Sequence, residues 1–215
     1  KAVLASQYYQ NKEFGKAALL YEELYDATKA DGYFNMYFDC LLGIQEYDKA
    51  EKAIRKGMRG NSSDAYWYVQ WGFLKRTMGD APEAEKMFDK AITSISDPAE
   101  LPNLANQFLS RREYDSAEKV FLKARQATGA GSYNYELARV YYYMRSYDRM
   151  LNEYLDWVKQ KDSNFEMVKA NLVSVLAMDS DGEIVKQLRN TVLRRIQQEP
   201  DQVIFSRVLI WLLIQ

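Results

Sequence analysis

One short phrase recurs five times along the chain at a nearly constant interval. It reads Glu46-Tyr47-Asp48-Lys49-Ala50-Glu51-Lys52-Ala53-Ile54 and, almost unchanged, Glu113-Tyr114-Asp115-Ser116-Ala117-Glu118-Lys119-Val120-Phe121. Looser copies begin at Glu13, Asp80 and Ser146. The fifth place of the phrase falls at Ala17, Ala50, Ala84, Ala117 and Met150, in steps of 33, 34, 33 and 33 residues. A fixed period of this length is the mark of stacked repeats, in which each unit buries its apolar face only against its neighbours.

The rest of the sequence says what kind of unit is repeated. The chain has 215 residues, 47% hydrophobic and 14% aromatic, with only 10 glycines and 4 prolines. That supply of core residues with so few turn formers favours helix and leaves little room for a turn-dense β fold. Inside the units apolar residues stand at i, i+3, i+4 and i+7, as for Leu101, Leu104, Ala105 and Phe108, and then Ala117, Val120, Phe121 and Ala124. Each unit therefore reads as two helices. Expected spans are 32–42 and 47–58, 65–78 and 82–94, 98–110 and 114–128, 132–144 and 147–160, then 164–178 and 183–198, with a last helix at 202–214. Gly79 suits a helix C-terminus, Asp80 and Asp97 suit N-caps, and Pro82 suits a first helical turn.

At this point the residues carry a family resemblance. Tyr68, Trp71, Gly72, Ala84, Phe88 and Ala91 in one unit, and Leu101, Leu104, Ala105, Phe108, Ala117, Phe121 and Ala124 in the next, match the tetratricopeptide repeat in register. A third unit supplies Leu137, Ala138, Tyr141, Tyr154 and Trp157. The chain resembles that family from about Leu4 to Gln160, another two-helix solenoid being the alternative. The resemblance implies an all-α fold, a right-handed superhelical solenoid of antiparallel helix pairs. Its units would be about 1–29, 31–61, 65–96, 98–129, 131–162, a degenerate 164–199 and a lone helix at 201–215, forming a single array. Some residues depart from the pattern: Phe38, Met150 and Trp157 are large at small positions, and Gly57 replaces a closing alanine.

Nothing in the sequence supplies catalytic chemistry. There is no histidine, which removes the commonest general base and metal ligand. The single Cys40, set among Tyr37, Phe38, Leu41 and Leu42, excludes an internal disulfide or a multi-cysteine zinc site and reads as a buried small apolar residue. Phosphate loops and activated nucleophiles are absent, and the carboxylate pairs Glu22-Glu23 and Asp179/Asp181 read as a solvated helix face and turn capping. No catalytic residue, metal or cofactor is expected. Twenty-nine basic against thirty acidic residues give a net charge of −1, no field for collecting nucleic acid. The longest apolar stretch, Val203 to Ile214, contains Arg207 and falls short of the roughly 20 residues of a membrane span.

The resemblance then implies a partner and a place. Tetratricopeptide repeats hold protein or peptide segments along the groove lined by the first helix of each pair. By register that groove is expected at Tyr66, Val69, Phe73, Arg76, Asn106, Tyr135, Arg139 and Tyr142. Rings with arginine suit a protein ligand. The lysine–asparagine clamp of one family subtype is missing, since Ala2, Ser6, Met36, Tyr66 and Gln70 stand at its positions. A structural alternative is self-association through the last helix, at Val203, Leu209, Trp211 and Leu212; RNA binding by a helical repeat is a third reading. The chain starts at Lys1 without a methionine or apolar leader, so either a removed leader or a piece of a longer array is expected. Cytoplasm and periplasm both fit, with a lean toward export.

Overall fold

The computed structural model describes residues 1–59 and 64–214; the expected unit boundary near residue 61 lies outside them, as does residue 215. Among the described residues the chain is all-α, with thirteen α-helices and no strand. These residues gather into two compact units, Lys1–Ser96 and the stretch from Asp97 onward.

The first unit holds three helix pairs: α1 (Ala2–Gln10) with α2 (Phe14–Thr28), α3 (Asp31–Gly43) with α4 (Tyr47–Met58), and α5 (Asp64–Thr77) with α6 (Ala81–Ser94). Turns this short between packed helices make each pair antiparallel. The second unit holds α7 (Leu101–Ser110) with α8 (Tyr114–Thr128), α9 (Asn134–Tyr143) with α10 (Tyr147–Gln160), α11 (Phe165–Leu176) with α12 (Glu183–Gln198), and then α13 (Val203–Ile214).

The recurring phrase marks the start of the second helix in each pair, and just before it the chain makes the same turn five times. Lys12, Gln45, Gly79, Arg112 and Arg145 all have φ between 57° and 86°. After each, the next residue's N–H reaches back five positions, as from Glu46 to the Leu41 carbonyl at 2.9 Å and from Glu113 to the Phe108 carbonyl at 2.9 Å. This is the Schellman arrangement, which satisfies helix-end carbonyls. Only one of the five residues is glycine.

Small residues of the phrase are joints. Ala17, Ala50, Ala84 and Ala117 are fully buried, and so is Met150 at the fifth joint. Gly57 and Gly72 take this further: a Cβ at Gly57 would lie 2.1 Å from the Trp67 ring, and one at Gly72 2.3 Å from Phe88. Trp67 sits edge-on to Phe34 at 4.6 Å between centroids and to Tyr66 at 4.9 Å. Phe34 also stacks on Phe38, so the large residue at a small position is a core ring of the first unit. Each such fully buried ring contributes roughly 1.5–3 kcal/mol of transfer free energy.

Several expected boundaries move for local reasons. Residues 98–110 do not form one helix: Pro98–Glu100 is a 3-10 turn capped by Asp97, whose Oδ1 accepts from Ala99 N at 2.9 Å. Pro102 has no N–H to donate to the Pro98 carbonyl, so an α-helix begun at Pro98 cannot pass through it. The α9 helix starts at Asn134 because Tyr133 is left-handed at φ 62°. Asp80 caps α6 as expected, accepting from Glu83 N at 3.2 Å. Cys40 is buried, and burial pushes its thiol up to about 12.

Polar networks join the second unit. Arg125 grips Glu153 with two bonds of 3.0 and 2.6 Å, and Asn134 adds a third at 2.7 Å. Arg195 of α12 binds Asp156 of α10 and Glu199. On α13, Ile204, Phe205, Val208 and Leu212 are buried, while Val203, Ile210, Leu213 and Ile214 are exposed. Leu212 is therefore a core residue and not part of a self-association surface; its face is turned inward, where Arg189 donates to its carbonyl at 3.2 Å. Among the described residues no helix is long and apolar enough to cross a membrane.

Candidate functional site

The expected groove residues fall into two sets, one in each unit. In the first unit two of the four are core residues. Tyr66 is 6% exposed, packs on Phe34 and Trp67, and donates from its hydroxyl to Asn35 Oδ1 at 3.0 Å; Val69 is 0% exposed. The register places these residues along α5 but does not reveal how much of the helix is covered by packing. Phe73 is half-buried, and Arg76 is engaged, paired with Glu85 of α6 and lying over the Phe88 ring at 5.6 Å. The first-unit set offers little open surface.

In the second unit the expected residues come together. Asn106 of α7 and Arg139 of α9 line one cavity of about 630 Å³, with Leu109, Arg112, Tyr114 and Tyr143. Tyr135, Arg139, Tyr142 and Tyr143 line an adjoining one of about 210 Å³, closed by Tyr154 of α10 and by Asn171 and Ser174 of α11. Arg139 and Tyr143 belong to both. Helical spacing explains the grouping: Tyr135, Arg139 and Tyr142 stand at i, i+4 and i+7 on one face of α9.

The rings form a supported cluster. Tyr114 and Tyr143 stack with centroids 5.3 Å apart and planes 8° from parallel. Tyr142 meets Tyr143 edge-on at 5.3 Å, and its hydroxyl lies 3.9 Å from Met178 Sδ. Tyr135 packs on Trp157 at 5.2 Å, and the Arg139 guanidinium stands over Tyr135 at 5.9 Å. Burial raises the Tyr154 phenol well above its ordinary value, so it stays protonated at physiological pH.

Charge at this face is one-sided. Arg112 and Arg139 line the cavities, and no lining residue is acidic. Neither guanidinium has an ion pair among the described residues. Arginine keeps its charge at any physiological pH and presents a planar fork of donors, so this surface favours carboxylates beside aromatic or apolar groups. Leu109 and Tyr143 share the register of the expected residues, whereas Arg112, Tyr114, Asn171 and Ser174 carry no such signal. Arg112 reaches the site because it occupies the left-handed turn between α7 and α8, and Asn171 and Ser174 come from the pair where the repeat pattern has thinned. Among the described residues no cluster of three or more Cys, Asp or Glu could hold a metal ion.

Helix pairs at a 33–34-residue period, with buried alanine joints and aromatic partners in register, make this a tetratricopeptide-like helical repeat protein. No protein-family model and no curated protein matches the sequence. Solved structures are similar at low identity. The C-terminal part of a TPR repeat-containing protein from Cytophaga hutchinsonii is 16% identical, with a TM-score of 0.38, over 94% of this chain and 83% of that one. The Cut9-Hcn1 hetero-tetramer of the APC/C is 13% identical, with a TM-score of 0.39, over 98% of this chain and 41% of that one. The TPR2AB domain of yeast Sti1, in its pHSP90 complex, is 14% identical, with a TM-score of 0.36, over 97% and 95%.

Proposed function

We propose that the protein is a non-catalytic scaffold for protein–protein interaction, that residues 1–215 act as one array of repeats, and that the α7–α9–α11 face holds a segment of the partner. One observation carries the reading: the tyrosines of α9 and two guanidiniums without ion pairs surround adjoining cavities that no carboxylate lines. Such a face suits a protein segment that brings an acidic side chain next to an aromatic or aliphatic one. Rings give it contact area at low entropic cost, and arginine gives direction. A chain of net charge −1 supports a protein partner over nucleic acid.

The test is selection of binders from a displayed random peptide library on the immobilised protein, followed by titration of the selected peptides against variants. Arg139→Glu and Tyr142→Ala each weaken binding about tenfold or more, with the thermal midpoint little changed, since both side chains are partly exposed. Selected peptides that bind both variants as well as the parent would remove this face from the function.

A further inference from the structure

Between α2, α3 and α4 of the first unit lies an open cavity of about 390 Å³. Its lining is apolar at Ala18, Leu41 and Ala53, and includes Leu19 and Ile44, which are 65% and 39% exposed. Lys49, Lys52 and Lys56 line it from α4. The one carboxylate present, Glu22, already accepts a hydrogen bond from the Tyr37 hydroxyl at 3.0 Å.

The second unit contains the same three-helix corner with its space filled. Helices α2 and α8 run Phe14–Thr28 and Tyr114–Thr128, and α4 and α10 begin at Tyr47 and Tyr147, a constant offset of 100 residues. In the second unit Glu118 accepts from the Tyr141 hydroxyl at 3.1 Å. Arg149 binds Glu118, donates to that hydroxyl at 2.9 Å, and lies 4.0 Å from the Tyr141 ring centroid. The corresponding first-unit residues are Ala18, Leu41 and Lys49. Glu153, gripped by Arg125, corresponds to Ala53. Asp115 corresponds to Gly15, where an added Cβ would meet nothing within 4 Å. The first unit thus lacks counterparts of the Tyr141 phenol and of the Glu118 and Glu153 carboxylates; it keeps the cation, and the Tyr37–Glu22 pair lines its cavity instead. It also has Lys52 where the second unit has Asn152, and Leu19 in place of Lys119.

We propose that this corner is a second binding site, separate from the face on the second unit, for an acidic peptide segment of a partner protein. One aliphatic side chain of the segment rests on Ala18, Leu41 and Ala53, and its carboxylates lie along Lys49, Lys52 and Lys56. Charge complementarity selects the ligand. Lys52 has no ion pair among the described residues; Lys49 pairs with the exposed carboxylate of Glu46 at 3.2 Å, and Lys56 with that of Asp26 at 2.9 Å while also facing the charge of Glu22. Exposed pairs of that kind exchange for ligand carboxylates at little cost. Spacing selects a peptide over a single-headed amphiphile. At i, i+3 and i+7 the three ammoniums extend over about 10 Å of helix, the length of about three extended residues.

The test is fluorescence anisotropy with fluorescein-labelled Glu-Asp-Leu-Glu-Asp. It is run on the Arg139→Glu protein, so that the second unit's face does not contribute and the two sites are judged separately. Saturable binding is expected, weakened about tenfold or more by Lys52→Glu. Replacing the peptide's leucine by serine weakens it too, and so does raising the salt. The double variant Ala18→Glu/Leu41→Tyr, checked for folding by circular dichroism, restores the second unit's plug and abolishes binding; should it not fold, Lys52→Glu decides. Absence of saturable binding, equal affinity in Lys52→Glu, or saturation by dodecanoate where the peptide does not bind would each overturn the proposal.

Discussion

Gly57 shows at the scale of one residue how the repeat pattern is bent to fit a particular core. It stands where the repeat closes with alanine, and alanine is the better helix former by about 1 kcal/mol. Against that gain stands the Trp67 ring, 1% exposed, against which an added methyl would press at 2.1 Å. Phe34 and Tyr66 pack edge-on against the ring, so any shift of it disturbs two further core rings. Overpacking of this kind costs about 1–3 kcal/mol and wins. Gly57→Ala is expected to destabilise the protein by up to about 2 kcal/mol, read as a lower urea midpoint at unchanged slope. A raised midpoint would show that the ring gives way. Other residues were harder to read in the sequence. Lys12, Gln45, Arg112 and Arg145 adopt the left-handed conformation that only Gly79 advertises, because the Schellman bonds hold them there. Tyr66 and Val69 lie in the core despite their register, since periodicity tells which way a side chain points and is silent on what packs over it.

Helices were legible in proportion to how much of their ends is written in the repeated phrase. The second helices α4, α8 and α10 span the expected residues because the phrase itself begins them. First helices depend on neighbours such as Pro102 and Tyr133 and shift accordingly. The start of α12 is set by Asp179 in the turn before it, whose carboxylate accepts from Ile184 N at 3.0 Å and Val185 N at 2.7 Å. Desolvation pushes this carboxyl upward, but the backbone donors of Val185 and Ile184 outweigh it and hold the group below its ordinary 3.8. A lowered folded-state value means that the capping contribution is present above the unfolded value and fades as pH falls through the folded one. Thermal midpoints of the parent and of Asp179→Ala should therefore differ at neutral pH and converge as pH drops below about 3.8. A gap independent of pH would mean that the carboxylate charge takes no part in starting α12.

For the whole molecule, the single array proposed above predicts that stability is shared along the chain. In a quasi-one-dimensional protein each repeat is stabilised by its neighbours, so a short array unfolds together when that coupling exceeds the instability of single repeats. The two compact units each have a core of their own, and a chain whose halves were uncoupled would unfold in two steps. Tryptophans happen to separate the two outcomes: Trp67 and Trp71 lie in the first unit, Trp157 and Trp211 in the second. In a Trp157→Phe/Trp211→Phe protein, fluorescence reports the first unit alone while far-ultraviolet circular dichroism reports every helix. If residues 1–215 are one array, both signals share a single urea midpoint. The Arg125–Glu153 pair then supplies a remote perturbation, its side chains 18% and 12% exposed. Removing one partner of so enclosed a pair costs up to about 3–5 kcal/mol, because the other charge is left unpaired. Glu153→Ala, made in the second unit, should lower the midpoint reported by Trp67 and Trp71 in the first. A fluorescence midpoint that stays in place while the circular dichroism curve splits in two would show that the repeats form two independent arrays.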